Sequence, residues 1–301
     1  MWYALGLAFI FLIILFVSLQ IAFTIVLPRK RSLADTEKLE KSKDSTLFDF
    51  YDKYLSKTKY IKSRFGYQLK LYYFLKEESK KFVVIAHGHT YTHHGCIKYA
   101  RMMFDEGYSV ILFDQRYHGD SGGKNSTLGH YEKFDLYDII TDVFNEFGSD
   151  IYLGTYGESM GSATVLLEQE LDLRVKFVIS DCGFSDLRRL ITEKIKKNHL
   201  PKFFIFFVDI FVKIITGVHL KEVSPIAAVK NAKIPILLIH GLEDKFIGFQ
   251  HSVDMYDNNN DKSTIMLAEN NSTHANSYFA DKEKYEQIVK RFLEENTNDK
   301  I

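Results

Sequence analysis

The stretch Ile151 to Ala163, IYLGTYGESMGSA, constrains this chain more than any other. An apolar run long enough for one buried strand ends at Gly157, Ser159 follows two residues later, Gly161 two after that, and a helical run begins at once. The pattern is strand, sharp turn, helix, with a serine at the apex. Small residues on either side let strand and helix approach closely, and the serine is held in a strained backbone with its hydroxyl exposed. Five letters are a weak signal by themselves. The strand before them and the helix continuing through Val165, Leu166 and Leu167 supply the context that makes Gly157-Glu158-Ser159-Met160-Gly161 a nucleophile elbow.

A serine of this kind needs a base, and the base needs an orienting acid. Around the elbow, the chain alternates strand and helix patterns. Strands are expected at Tyr60 to Phe65 and Tyr67 to Leu75, hinged near Gly66, and then at Lys81 to Ala86, Ser109 to Phe113, Val175 to Ile179, Ile236 to Ile239 and Ser263 to Leu267. Helices are expected at Cys96 to Glu106, Leu128 to Phe147 and Asn276 to Glu295. Near-continuous apolar strands separated by helices imply a mostly parallel sheet of about eight strands covered on both faces, with its chemistry at the carboxyl ends of the strands.

In that architecture the triad order is Ser, acid, His. Asp244, in IHGLEDKFIG, and His274, in NNSTHANS, each follow a strand end, which brings both to the rim that carries Ser159. Asp181 is a competing acid from the neighbouring strand, and Glu243 is adjacent to Asp244. The oxyanion donors are expected to be the backbone amides of Met160 and of His89, with Thr90 as alternate, because Gly88 turns the loop after Lys81 to Ala86 sharply. His87 reads as a plug that hydrogen-bonds loop backbone, and His251 as a helix residue that packs or meets solvent. Neither of two other patterns is given a catalytic role. His87, His89, His93 and His94 lack the carboxylate spacing of a metal set, and Gly119-Asp120-Ser121-Gly122-Gly123 lacks the all-strand surroundings and residue order of the proteases that use such a serine. Cys96 and Cys182 read as free thiols. The expected reaction needs no cofactor and no metal.

The amino terminus sets a second constraint. No charged side chain occurs from Met1 to Pro28, and Tyr3 to Leu27 as a helix would reach ~37 Å, beyond the ~30 Å hydrocarbon core of a bilayer. A basic leader and a small-residue cleavage site are missing and the apolar run is long, so residues 1–28 read as a single-pass membrane anchor rather than a removed signal or a buried helix. Arg29, Lys30 and Arg31 place the following domain on the cytoplasmic side of the cell membrane. Residues 29–58 then read as a charged, solvated spacer or frayed helix, Ser32 to Thr46, and a short amphipathic helix, Leu47 to Leu55. The remainder, 59–301, forms one domain with an insertion at about 184–232. Equal numbers of basic and acidic residues, 39 each, leave no nucleic-acid footprint.

These residues resemble the α/β-hydrolase superfamily over Tyr60 to Glu295. The likeness is carried by the His87-Gly88 turn, DQRYHGDSGG from Asp114 to Gly123, the GESMG elbow, IHGLEDKFI and His274. The glutamate before the serine, and Ser224-Pro225, resemble the serine aminopeptidase and dienelactone-hydrolase-like branch, which includes bacterial membrane-anchored hydrolases. The resemblance implies a serine hydrolase acting on carboxylic esters, or on other acyl or lipid-like substrates. Ser159 is then the nucleophile, His274 the base, Asp244 the acid, and the amides of His89 and Met160 the oxyanion donors. Peptidase, amidase or acyltransferase chemistry on the same triad, and a membrane-tethered scaffold without catalysis, are the alternatives. Arg116-Tyr117-His118-Gly119 stands where the family commonly has RGHG. The insertion falls at the family's lid, and its run Phe203 to Val208 is expected to pack over the pocket or to meet the bilayer or acyl chains; Asp209 and Lys213 interrupt it, which argues against a second membrane span.

Overall fold

The computed structural model describes residues 2–297; Met1 and 298–301, the ends assigned to the anchor and to the main domain, lie outside them. Three helices open the chain: α1 (Trp2–Val26), α2 (Leu33–Lys43) and α3 (Thr46–Tyr54). The hairpin β1 (Lys57–Lys62) and β2 (Gln68–Phe74) follows, its turn passing through Gly66 at φ 91°. Then come β3 (Lys81–Ala86), α4 (Ile97–Asp105), β4 (Ser109–Phe113), α5 (Glu132–Phe147), β5 (Tyr152–Glu158), α6 (Met160–Glu168) and β6 (Val175–Asp181). The insertion supplies α7 (Leu187–Lys197), α8 (Phe204–Thr216) and α9 (Pro225–Val229). The chain closes with β7 (Ile236–Gly241), α10 (Gln250–Asn258), β8 (Ile265–Asn270), α11 (Ser277–Ala280) and α12 (Lys282–Thr297).

The eight strands form one sheet in the order β1-β2-β4-β3-β5-β6-β7-β8, parallel except where β2 pairs with β1 and β4. This is the α/β-hydrolase fold. Side chains of period two divide between the faces. Val83, Ile85, Tyr156 and Ile179 pack under α3, α4 and α12, while Val84, Ile111, Leu153 and Val178 pack under α5, α6 and α10. Because β3 to β7 are buried on both faces along most of their length, their sequences read as largely apolar runs rather than as alternating ones.

Three expectations need correction. Of the two readings of Ser32 to Thr46, spacer or frayed helix, the structure has a helix, and one that is capped and packed rather than frayed. Ser32 Oγ accepts from the Asp35 amide at 3.1 Å, the Asp35 carboxylate accepts from the Ser32 amide at 3.3 Å, and this box starts α2. Thr36 and Glu40 are then buried against the loop after β3, meeting Thr92 Oγ1 at 2.7 Å and the Tyr91 hydroxyl at 2.6 Å. The helix expected from Leu128 starts only at Glu132, because Leu128 and Gly129 take φ values of 52° and 128°. The buried Glu132 carboxylate gathers the amides of Thr127 and Gly129 at 2.7 and 2.9 Å and fixes that turn. The helix expected from Asn276 is broken at Asp281, whose φ of −156° is extended.

Among the described residues, α1 is the one helix long and apolar enough to cross a membrane by length and composition. Every residue from Trp2 to Ile13 is exposed, but from Ile14 onward the helix packs into a cluster with α7, α8 and Met160. Within the insertion, Asp209 caps the segment after α8, accepting from His219 Nδ1 at 2.9 Å and from the Leu220 amide at 2.7 Å.

Candidate active site

Ser159 sits between β5 and α6 with φ 56° and ψ −111°, a backbone that costs an L-residue of order 1–3 kcal/mol and persists only where surroundings impose it. Those surroundings are backbone. A Cβ on Gly157 would lie 2.1 Å from the Gly161 carbonyl oxygen, and one on Gly161 would lie 2.0 Å from that of Ala86, so neither position admits a side chain. The Ser159 amide donates to the Asp181 carbonyl at 2.9 Å and ties the apex to β6.

The structure brings Ser159, His274 and Asp244 together across 115 residues of sequence. His274 Nε2 lies 3.0 Å from Ser159 Oγ, and Nδ1 lies 2.7 Å from Asp244 Oδ2. A carboxylate only accepts, so Nδ1 carries the proton and Nε2 is free to accept from the serine hydroxyl. Burial alone pushes the Asp244 carboxyl up. Hydrogen bonds from His240 and His274, the charge of His274 and the Ile247 amide outweigh it and hold Asp244 well below the usual carboxylate range. The Phe246 ring lies 4.9 Å from the imidazole of His274.

His240 was not among the residues singled out from sequence. It donates from Nε2 to the Ile247 carbonyl at 2.8 Å with Asp244 Oδ2 at 3.4 Å, and Ser252 Oγ supports its Nδ1 at 2.7 Å. Its signal was its place at the end of β7, four residues before the acid.

Asp181 does not serve His274. Its Oδ2 accepts from the Tyr99 and Tyr285 hydroxyls at 2.9 and 2.8 Å, deep beneath the elbow. Glu243 is exposed, with its amide on the Ser272 carbonyl. Glu158 points the other way from Ser159, into a buried network where Lys98 Nζ and the Tyr99 hydroxyl meet Oε2 at 2.6 and 2.7 Å.

The loop after β3 lies against the nucleophile: a Cβ on Gly88 would stand 3.6 Å from that of Ser159. The Thr90 amide donates to His118 Nε2 at 3.1 Å, which removes it as an oxyanion donor. Among the described residues the amides of His89 and Met160 donate to no protein acceptor; Met160 opens α6, where an amide has no intrahelical partner. His87 is the expected plug, donating from Nδ1 to Gly88 O at 2.7 Å and accepting the Gln115 amide on Nε2 at 2.9 Å. The other histidines of the string bond apart from one another. His93 Nδ1 donates to Asp114 at 2.9 Å, and His94 Nδ1 lies 3.2 Å from the Leu33 carbonyl. Tyr117 has φ 67°, so the loop is left-handed at a tyrosine. Cys96 and Cys182 are buried free thiols.

Solved structures share the fold. Esterase Pf2001 of Pyrococcus furiosus superposes with a TM-score of 0.66 at 22% identity, covering 79% of this chain and 91% of that one. Est1E of Butyrivibrio proteoclasticus, solved with ferulic acid bound, gives 0.60 at 19% identity over 79% and 98%. The family model described as serine aminopeptidase, S33, matches residues 77–180. The chain belongs to the α/β-hydrolase superfamily. Within it, a full-length relative is YqkD of Bacillus subtilis strain 168, described as uncharacterized, with 30% identity over 290 residues and 94% of each chain covered. A thiohydrolase of Aspergillus aculeatus, AneE, is 32% identical over 121 residues, covering 39% of this chain and 38% of that protein.

Proposed function

We propose that this protein is a serine hydrolase that cleaves carboxylic esters through an acyl-enzyme. The observation that carries the reading is the hydrogen-bonded line from Ser159 through His274 to Asp244, mounted on a strained elbow. Ser159 attacks the ester carbonyl while His274 Nε2 takes its proton. The amides of His89 and Met160 stabilise the oxyanion, and His274 returns the proton to the leaving alcohol. Water then repeats the sequence on the acyl-enzyme. Asp244 holds the imidazole in its reactive tautomer and stabilises the imidazolium that forms.

The cavity over Ser159 favours an ester over a peptide amino terminus. Among the described residues, Lys194 is the one charged residue lining it, and no carboxylate lies there to bind a protonated amine. The apolar α1 holds the protein at a membrane by its exposed end, Trp2 to Ile13; because the remainder of the helix packs on the domain, the basic run Arg29 to Arg31 no longer assigns a side as it would after a spanning helix. The test is hydrolysis of p-nitrophenyl butyrate by the purified full chain. Ser159→Ala should lower kcat by at least ~10³-fold, with a burst of p-nitrophenolate present only in the parent protein. Unchanged hydrolysis in Ser159→Ala refutes the assignment.

A further inference from the structure

Above Ser159 lies a cavity of about 540 Å³. Ser159 and Met160 form its floor, and Leu190, Ile191 and Ile195 of α7 form one wall. The facing wall belongs to α1: Phe16, Val17, Gln20, Ile21, Thr24 and Ile25. These fall in two adjacent rows of i, i+4 spacing, so they make a single stripe along the helix. Gln20 and Thr24 both lie on it, in a helix otherwise apolar from Ala4 to Val26 except for the buried Ser18.

The helix is fixed to the domain. His89 Nε2 donates to the Ile25 carbonyl at 3.0 Å, the Ser126 amide donates to Val26 O at 2.8 Å, and the Arg31 amide donates to Thr90 O at 2.9 Å. The first and last of these bonds fall on the loop that carries the His89 amide, so the seat of α1 and the position of that amide are coupled.

We propose that α1 is a wall of the substrate site, and that the substrate is a long-chain acyl ester drawn from a bilayer, its chain lying along the α1 stripe. The proposal rests on Ser159 being the nucleophile. From Ile25 beside His89 to Phe16 at the outer end, the stripe runs ~14 Å along the helix axis. That matches an extended chain of roughly eleven carbons with bonds of about 1.5 Å in zigzag.

What surrounds the outer end points to lipid. Beyond Phe16 the helix carries exposed Leu12, Ile10, Phe9 and Leu7, and Phe206, Ile210 and Ile214 of α8 are exposed as well. The two helices are joined by an edge contact of Phe11 on Phe207, with ring centroids 5.9 Å apart. So large an apolar surface is not left in water by a soluble protein. The wholly exposed end, Trp2 to Ile13, is ~18 Å long, less than the ~30 Å hydrocarbon core. Sinking it into a bilayer brings Phe16 and the cavity to the membrane surface, where a lipid acyl chain enters without crossing water.

The test uses the full chain and two fluorophosphonates, with butyl and hexadecyl chains, each offered in dilute solution and in phosphatidylcholine vesicles. Each methylene taken out of water is worth roughly fourfold, so the hexadecyl probe should label Ser159 more than about tenfold faster than the butyl probe. Ile21→Trp and Val17→Trp, which fill the stripe, should each cut that ratio to below about threefold while retaining the parent circular dichroism. Leu7→Trp, outside the cavity, should leave it unchanged. Equal labelling by both probes, or a ratio untouched by both filling variants, overturns the proposal and leaves the nucleophile standing. A hexadecyl preference seen in solution but absent from vesicles overturns the bilayer source, as does amino-terminal sequencing that finds α1 removed from the membrane-isolated protein. Labelling by neither probe at Ser159 overturns the nucleophile assignment, and the proposal falls with it.

Discussion

Lys98 and Glu158 hold the elbow from below, and removing the cation alone should be costly. The side chains are 2% and 8% exposed, with Nζ 2.6 Å from Oε2. At an effective dielectric of 20 that separation corresponds to about 6 kcal/mol of attraction. Part of it offsets the desolvation of Lys98, which the substitution relieves. Breaking a buried pair from one side accordingly costs ~3–5 kcal/mol. Lys98→Met keeps the aliphatic stem and removes the charge, leaving Glu158 buried without a cation. The double variant Lys98→Met with Glu158→Gln removes both charges and should recover most of the loss, to within ~1–2 kcal/mol of the parent. Urea denaturation in detergent, followed by far-ultraviolet circular dichroism, measures both.

Acidity supplies an independent sign. Burial pushes the Glu158 carboxyl up, but the charge and hydrogen bond of Lys98 and the Tyr99 hydroxyl outweigh it and hold it below its ordinary 4.5. In the parent, the stability from Glu158 is present above pH 4.5 and is lost as pH falls through the lower folded value. In Lys98→Met the burial effect is unopposed by the cation and the sign reverses, so this variant should regain stability as the solution is acidified toward pH 4.5. A Lys98→Met penalty below ~1 kcal/mol, or a double variant no better than the single one, would refute the reasoning.

Other consequences are as direct. Asp244→Asn can present its amide to Nδ1 and move the imidazole proton to Nε2; kcat on p-nitrophenyl butyrate should fall ~10³–10⁴-fold, and a fall below ~10-fold contradicts the role given to Asp244. Gly161→Ala sets a Cβ 2.0 Å from the Ala86 carbonyl oxygen, so it should abolish labelling of Ser159 and lower the denaturation midpoint; parent-like activity would show that the turn tolerates a side chain. Asp135 is pushed up from 3.8 to about 7 by burial, against hydrogen bonds from Ser63 and Tyr67. Its stabilising contribution is full below pH 3.8 and is lost as pH rises through about 7, so the parent should lose stability relative to Asp135→Asn across that interval, by a few kcal/mol. Denaturation midpoints of the two proteins measured at the ends of the interval should diverge; parallel curves would contradict it.

Much of this candidate site is legible in the sequence. Strand ends mark where a parallel sheet exposes side chains, and Ser159, Asp244 and His274 each follow one. Asp181 follows one too, and sequence has no means of showing that Tyr99 and Tyr285 claim it. Those partners come from α4 and α12, whose contact with β6 is purely tertiary. The lid was legible as an insertion, but the second half of α1 was not legible as a cavity wall. Hydropathy scores a lipid-facing and a protein-facing helix alike, and the two polar residues of the stripe, Gln20 and Thr24, barely lower it. Residues Ser32 to Thr46 were legible only as a spacer or frayed helix for the converse reason: their composition suits solvent, while the capping box at Ser32 and the buried partners of Thr36 and Glu40 make them a packed helix.

The covalent step is the point on which the enzymatic reading turns. The full chain treated with a fluorophosphonate, digested and mapped by mass spectrometry should carry the adduct on the peptide containing Ser159, with none in Ser159→Ala and slowed formation in His274→Gln. Ester hydrolysis that persists while Ser159 stays unmodified, or an adduct that forms on another residue, would contradict it.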